Sequence, residues 1–437
     1  MSNSLKIMTN ERTYVKDIKK GPVFIEGWIH EIRDLAKIKF ILLRDVSGIV
    51  QCIIKDEKLM KKFLDLSIES VISIQGEAKP AQVKSSEVSR NEIEIEIKDF
   101  EIISKAQEPP IQILEKGINT ALPKRLDYRF LDLRKPKNLA IFKVRSEVNR
   151  ALREFFHENG FIEMQTPKIV GMGAEGGATM FKLDYFGKKA YLSQSQQLYK
   201  QMLNIAGFDR VFEIAPSFRA EKSHTTRHIS EFTHIDVEFS FIKDEDDVYK
   251  LQERFLVYVL EQIKKNCEKE LKLLNVTIEI PKIPFPRIKY SEGLQLLEKA
   301  GIKAKEIGQD EEVKLGEIIK NKFKTDAYFI TKMPTKDVKF YCMRDGDEAR
   351  YGDLEFKGNE ISSGGQREHR YEILIKQIKE QKLNPKDFEY YTEPFKYGAP
   401  PHGGLGMGCD RLVQFILNLD NIREAVLFPR DTERLTP

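Results

Sequence analysis

Cysteine is scarce: Cys52, Cys267, Cys342 and Cys409 are the only four in 437 residues. None forms a C-x-x-C pair, so the usual zinc and dithiol arrangements are excluded and reduced thiols are expected. No apolar run approaches the roughly 20 residues that a bilayer-crossing helix needs, and the opening Met-Ser-Asn-Ser-Leu-Lys has no apolar signal core. A cytoplasmic protein with no membrane partner is the expectation. Charge excess of one sign is also missing. Lysine and arginine number 72 against 68 acidic residues, a formal net charge of +4; a polybasic coat is excluded, while a local basic face stays open. There are no internal repeats and no low-complexity tract.

What is present describes a folded chain of more than one domain. Hydrophobic residues make up 41% and charged residues 32% of 437, a globular composition in a chain longer than one core usually supports. Residues 23 to 103 read as short strands: VFIEGWIHEI, KFILLRDVSGIVQCII, SVISIQGEAKP and NEIEIEIKDFEII. Ile93, Ile95 and Ile97 alternate with glutamates, the period of a half-buried strand. Four or five strands, interrupted by one helix in DEKLMKKFLDL, suit a small closed barrel of the oligonucleotide-binding (OB) kind. At AQEPP the paired prolines cannot donate to a ladder and favour an extended linker. The expected organisation is a barrel domain over 1–104, a hinge over 105–135 and a larger domain over 136–437.

The larger domain opens with SEVNRALREFFHENGF, which sets Val148, Leu152, Phe155 and Phe156 at helical spacing and stops at Gly160. Strand-like AYLSQS, VFEIAPSFRA and EFTHIDVEFSFI follow, then a helical stretch near 244–270. KYSEGLQLLEKAG and EEVKLGEIIKNKF read as helices and AYFIT as a strand. YGDLEFKGNEISSGG reads as one strand before a long helix from Glu368 to Gln381, and a glycine-rich turn is expected to open the last helix near Cys409. Long antiparallel strands interleaved with helices make an α+β fold.

Four segments carry chemistry. In EFTHIDVEFSF, Thr233, Ile235, Val237, Phe239 and Phe241 share one face, leaving Phe232, His234, Asp236 and Glu238 on the other. Burying that second face requires partners; exposure to water is its bland alternative. The preceding FRAEKSHTTRH ends a strand and makes a loop, putting Arg219 at the root of a hairpin, Arg227 and His228 on its loop and Phe232 on its return strand. Planar guanidinium groups donate in pairs and suit phosphates, so this hairpin fits a nucleotide, with the ring under the base. In NEISSGGQR, period two puts Glu360 and Ser362 on one face and Ile361 and Ser363 on the other. A carboxylate and a hydroxyl are hard oxygen donors of the kind Mg²⁺ accepts when phosphates complete its shell. GGLGMGCDR lets backbone approach a ligand, with Arg411 beside it.

Together these segments resemble the motifs of the class II aminoacyl-tRNA synthetases, and the run from barrel to the terminal FPRD resembles their aspartyl branch of the archaeal and eukaryotic type. The resemblance implies an antiparallel six- or seven-stranded catalytic sheet flanked by helices, and a homodimer with Pro167 of FIEMQTP at the contact. It implies ATP and L-aspartate as substrates, Mg²⁺ as cofactor and tRNA(Asp) as partner. In that scheme Arg219, Glu360 and Arg411 are catalytic. Arg219 contacts the α-phosphate and the amino acid carboxylate, Glu221 the adenine amino group, and Arg227 and His228 the outer phosphates, with Ile229 and Gly408 completing the nucleotide site. Phe232 and Arg411 sandwich the adenine, and Glu360 and Ser363 take Mg²⁺.

For the amino acid, the resemblance assigns Glu175 of AEGGA, Gln197 and Lys200 of QLYK, Ser195, Asp236, Ser363 and Arg367. Gln197 and Asp236 are to receive the ammonium group, while Lys200 and Arg367 offer two positive charges to the substrate side chain. That favours aspartate over asparagine, so an asparaginyl-tRNA synthetase is the rival reading. A synthetase-like asparagine synthetase is a second, and the barrel argues against it. Retention of Arg219, Glu360, Arg367 and Arg411 argues against a non-catalytic relative. In the barrel, Phe40 and Gln51 match positions that stack on and hydrogen-bond the anticodon, a core phenylalanine being the alternative for Phe40. His30 stands where the resemblance implies Trp in relatives that also charge tRNA(Asn), so strict charging is expected and tRNA(Asn) stays open. Cys409-Asp410 replaces the more usual Ala-Glu, and Tyr351-Gly352 precedes Asp353 where an aromatic next to the Asp is more familiar.

Overall fold

The structure is a computed structural model that describes residues 11–35, 38–64, 66–114, 120–173, 180–222 and 225–437. The chain divides into two compact units, Met1–Lys135 and Pro136–Pro437.

In the first unit, strands β1 (Gly21–Leu35), β2 (Ile38–Asp45), β3 (Gly48–Ile54), β4 (Val71–Pro80) and β5 (Ile93–Ser104) close a barrel in the order β1-β2-β3-β5-β4. A short helix, Glu57–Lys62, lies between β3 and β4; the Asp56 carboxylate caps it by accepting from the Lys58 and Leu59 amides, both at 2.9 Å. Ile25, Ile41, Leu43, Val50, Cys52, Ile74 and Ile95 fill the interior. The Ile93-Ile95-Ile97 alternation points inward as the period requires. Beyond the barrel, Ile111, Ile113 and Leu131 pack with Tyr128 into a small cluster of their own.

The second unit is built on eight strands in the order Arg287–Lys289, Ala327–Thr331, Tyr351–Phe356, Glu360–Gln366, His402–Gly408, Glu231–Ser240, Arg210–Phe218 and Ile162–Glu163. The six central strands are antiparallel and the two short edge strands pair in parallel. The sheet is therefore mixed and wider than the resemblance implies. Helices Pro136–Glu158 and Glu245–Asn266 cover the apolar face, packing Val148, Leu152, Phe155 and Phe156 with Phe255, Leu256 and Val259. The first of these begins at Pro136 rather than Ser146, and Gly160, at φ +77°, turns the chain out of it.

Three further sequence expectations are corrected by the structure. YGDLEFKGNEISSGG is not one strand: Lys357 and Gly358 take left-handed φ of +54° and +69° and fold it into an antiparallel pair, Tyr351–Phe356 with Glu360–Gln366. The glycine-rich segment is not a turn but the strand His402–Gly408. Gly404 and Gly406 lack side chains because their neighbours fill the places. A Cβ on Gly404 would lie 2.1 Å from the Val237 carbonyl oxygen, and one on Gly406 would lie 2.6 Å from the His234 ring. The helix expected from Glu368 spans Tyr371–Glu380. Among the described residues no helix is long and apolar enough to cross a membrane.

Candidate active site

The polar face of the sheet floors a cleft of about 330 Å³ within the second unit. Strands Arg210–Phe218 and Glu231–Ser240 pair with Ser217 opposite Phe232, so the chain leaves the first strand with Arg219 beside that ring. The Arg219 guanidinium stands 5.3 Å from the Phe232 centroid, a cation–π distance. Glu221, Arg227, His228 and Ile229 line the same cleft. Nε2 of His228 lies 3.1 Å from Arg411, and Nδ1 lies 2.6 Å from the Thr225 hydroxyl. Because arginine only donates, Nε2 accepts and Nδ1–H donates to Thr225. Burial lowers the affinity of this ring for a second proton, and the Arg411 charge lowers it further.

Deeper in the cleft, Asp236 accepts from Lys200 Nζ at 2.8 Å through one oxygen and from His234 Nδ1 at 2.6 Å through the other. Burial pushes its carboxyl up, but Lys200 and His234 outweigh burial and hold it well below the usual range. Lys200 and Arg367 are fully buried and are not part of the cleft wall. Lys200 also donates to the Leu405 carbonyl at 2.7 Å and lies 3.5 Å from Glu238, so its charge faces two carboxylates inside the protein. Arg367 holds Glu238 through Nε at 2.9 Å and Nη2 at 3.2 Å. Its Nη1 has no hydrogen-bond partner, and its guanidinium lies 5.5 Å from the Tyr341 ring and 6.0 Å from the Tyr351 ring, both in the cleft wall. Ser195 and Gln197 reach the cleft, and the Ser195 hydroxyl is likewise unpartnered. Glu175 lies outside the described residues.

Opposite stand the carboxylates. Pairing of Glu355 with Glu360 and of Leu354 with Ser362 leaves Ile361 as an extra residue. This bulge breaks the alternation read from the sequence: Glu360 shares its side with Ser363, not Ser362, which is buried. Ser363 donates to Glu360 at 2.9 Å and pairs with Asp353. Burial raises the Asp353 carboxyl well above its usual value, and Glu360 raises it further. At Glu360 burial also pushes up, but Arg411, Ser363 and Arg219 prevail and keep it low. Glu360, Asp353 and Ser363 are hard oxygen donors fitted to Mg²⁺. Among the described residues no three acidic, His or Cys side chains form a metal cage, so an ion there would share its shell with substrate oxygens.

Arg411 closes this side, donating to the Glu360 carboxylate at 3.3 Å. Gly408 lines the cleft just before it. Its neighbour Asp410 accepts from the Thr233 amide at 2.8 Å and from Arg145 of the first helix, so it anchors the strand ends. Sequence reasoning missed Met333, Asp337, Lys339 and Tyr341, which line the cleft, and Glu312, which reaches Arg227. They come from the segment after residue 284, whose motif-free sequence carries no signal of their position.

Residues 122–432 match the family of class II tRNA synthetases for D, K and N, and residues 23–103 match the OB-fold nucleic acid binding domain. The chain belongs to the class II tRNA synthetases. This synthetase is 44% identical to the aspartate–tRNA(Asp) ligase of Pyrococcus furiosus over 98% of its own length and 99% of the relative's. It is 45% identical to the aspartate–tRNA(Asp/Asn) ligase of Methanopyrus kandleri, covering 95% and 96%. Asparaginyl-tRNA synthetase from Pyrococcus horikoshii, complexed with asparaginyl-adenylate, superposes with a TM-score of 0.90 at 34% identity, covering 98% of this chain and all of that one.

In the synthetase's barrel, Phe40 and Gln51 alternate with the interior residues Ile41 and Cys52 and so face outward. Phe40 is partly exposed. Gln51 donates to Glu94. His30 is buried, with Nδ1 2.8 Å from Arg44 and Nε2 3.4 Å from Glu87, so both ring nitrogens are engaged. Arg44 in turn makes a bidentate pair with Glu69, at 3.0 and 2.7 Å.

Proposed function

We propose that the synthetase activates L-aspartate with ATP and transfers it to the 3′ end of tRNA(Asp). One observation carries the choice of amino acid: the buried Arg367 has one nitrogen without an acceptor, beside rings that line the cleft. A carboxylate supplies that acceptor. The full-length relatives named as aspartate ligases support the same reading. Ser195 and Gln197, with Asp236, face the amino acid end and suit its ammonium group. Lys200 acts one step back, holding Asp236 ionised rather than touching substrate.

In the first step a carboxylate oxygen of aspartate attacks the α-phosphorus of ATP, and the bond from that phosphorus to the bridging oxygen of pyrophosphate breaks. Arg219 meets the α-phosphate and the attacking carboxylate, stabilising charge that develops between them. Phe232 and Arg411 bracket the adenine, Glu221 accepts from its amino group, and Arg227 and His228 take the outer phosphates. Glu360 and Ser363, with Asp353 nearby, would hold Mg²⁺, whose charge would stabilise the phosphates electrostatically. Positioning is worth roughly 7–11 kcal/mol for well-oriented reactants, and this site offers little else. In the second step the 3′-hydroxyl of the terminal adenosine attacks the aspartyl carbonyl, and AMP leaves.

The barrel reads the anticodon, with Phe40 stacking on a base and Gln51 bonding one. Buried His30 acts on tRNA choice only through its neighbours, and the relatives include both tRNA(Asp) and tRNA(Asp/Asn) ligases. A homodimer in the cytoplasm completes the reading; exposed Ile162, Pro167 and Ile169 beside the edge strand Ile162–Glu163 support the dimer contact. ATP–pyrophosphate exchange with aspartate and with asparagine, then charging of purified tRNA(Asp) and tRNA(Asn), tests it. Exchange driven by asparagine alone would refute the amino acid assignment. Arg219→Ala should lower exchange by about 10²- to 10³-fold with the melting temperature unchanged.

A further inference from the structure

We propose that Glu312, on the helix Gln309–Phe323 of the segment after residue 284, is the positioning residue that aims Arg227 at the outer phosphates of ATP. The inference rests on the reading of Arg227 given above and deepens it. The Arg227 guanidinium donates to the Asn359 side-chain oxygen at 2.5 Å and to the Glu312 carboxylate at 3.4 Å. Both members of the ion pair are mostly enclosed, with side chains 10% and 18% exposed. The loop backbone is tied from elsewhere: the Ile422 amide donates to the Thr226 carbonyl at 2.8 Å and Arg423 donates to the Thr225 carbonyl at 3.0 Å. The terminal segment therefore holds the loop, and the helix of Glu312 holds the charge it carries.

The same helix fixes the second acceptor. A Cβ on Gly316 would lie 2.5 Å from the Gly358 Cα, and one on Gly358 would lie 3.0 Å from the Val313 Cα. Helix and turn meet backbone to backbone, and Gly358 also needs its left-handed φ of +69°. Asn359 and Glu360 follow directly, so the helix sets the turn that presents Asn359 to Arg227. Removing Glu312 leaves a neutral acceptor, repulsion from Arg411, and a competing carboxylate, since Glu355 is buried with one oxygen unpartnered. The guanidinium then loses its bias toward the cleft.

The test is ATP–pyrophosphate exchange on the full-length protein carrying Glu312→Ala, Glu312→Gln, Arg227→Ala and the Arg227→Ala/Glu312→Ala pair. Glu312→Ala should raise the KM for ATP about tenfold, the size of one charge-assisted hydrogen bond, and leave the KM for aspartate unchanged. Glu312→Gln, which keeps the shape and an acceptor oxygen, should recover part of the loss. The double variant should be no worse than Arg227→Ala alone. Additive losses, or equal rises in both KM values, would mean a structural role only and overturn the inference. Wild-type behaviour of both Glu312 variants with Arg227→Ala impaired would overturn it while sparing the reading of Arg227. An Arg227→Ala enzyme with normal KM for ATP would overturn both.

Discussion

Replacing Lys200 by methionine keeps a long unbranched side chain and removes one buried charge. Its ammonium group donates to Asp236 at 2.8 Å and to the Leu405 carbonyl at 2.7 Å, and it lies 3.5 Å from Glu238. Neither Lys200 nor Asp236 is more than 1% exposed, so solvent screening takes little from the interaction. Removing one partner of a buried pair costs roughly 3–5 kcal/mol, because the other charge stays buried without it. For a unit as long as Pro136–Pro437 that is about 6–10 °C of melting temperature, at the low end of the shift per kcal/mol.

The loss must depend on pH. Burial pushes the Asp236 carboxyl up, and Lys200 with His234 overrides burial and holds it low. Ionised Asp236 therefore contributes stability above the unfolded carboxylate value of about 3.9, and this is lost only as pH falls through the depressed folded value. Without Lys200 burial is less opposed and the folded value rises. The variant is then penalised fully at pH 8 and less at pH 5.5, where the carboxyl binds a proton more readily in the folded state. Calorimetry or dye-monitored melting at both pH values measures the gap between variant and wild type. A gap that does not narrow toward acid, or that stays below about 2 °C at pH 8, would refute the assignment of Lys200 as the group that keeps Asp236 charged.

Other outcomes follow from single contacts. Gly404→Ala drives a methyl to 2.1 Å from the Val237 carbonyl and 2.2 Å from the Glu238 carboxylate, so soluble yield or melting temperature should drop sharply; an unchanged melt would mean the strands are less tightly held than their spacing implies. Phe40→Ala should spare exchange and weaken tRNA charging by about tenfold, within the 1–3 kcal/mol of one stacked base; equal losses in both assays would count against the barrel as reader. Burial raises the thiols of Cys267 and Cys342 to about 11 and of Cys409 to about 12, the nearby Arg367 and Arg145 opposing it at Cys342 and Cys409. All four cysteines are buried, so iodoacetamide at pH 8 should label them only after urea is added, and rapid native labelling would contradict that.

Periodicity was enough to find the barrel strands, the faces of Glu231–Ser240 and the second domain, because each depends on which side of an element is wetted. It failed where backbone geometry departs from the regular repeat. The bulge at Ile361 moved Glu360 onto the side of Ser363, and two left-handed residues cut one apparent strand in two. The glycines of His402–Gly408 looked like a turn because turns and crowded strands both exclude side chains, and sequence alone does not separate them. Lys200 and Arg367 were legible as cations but not as buried ones. Their partners, Asp236 and Glu238, come from a strand distant in the chain, and only the fold shows the charges already balanced.

That balance bears on how such a site selects a carboxylate. Lys200 is matched by Asp236 and Arg367 by Glu238, so the two pairs contribute no net positive charge to an incoming side chain. On the reading proposed here, selectivity rests on directional hydrogen bonding: Arg367 offers a donor and has no capacity to accept. An aspartate side chain presents only acceptors to it. An asparagine side chain presents one oxygen and one amino group, and the amino group then needs an acceptor that no arginine supplies. A site whose polar groups are committed in this way discriminates by leaving the wrong ligand's donor unpaired, and that penalty, unlike one from long-range charge, should change little with added salt.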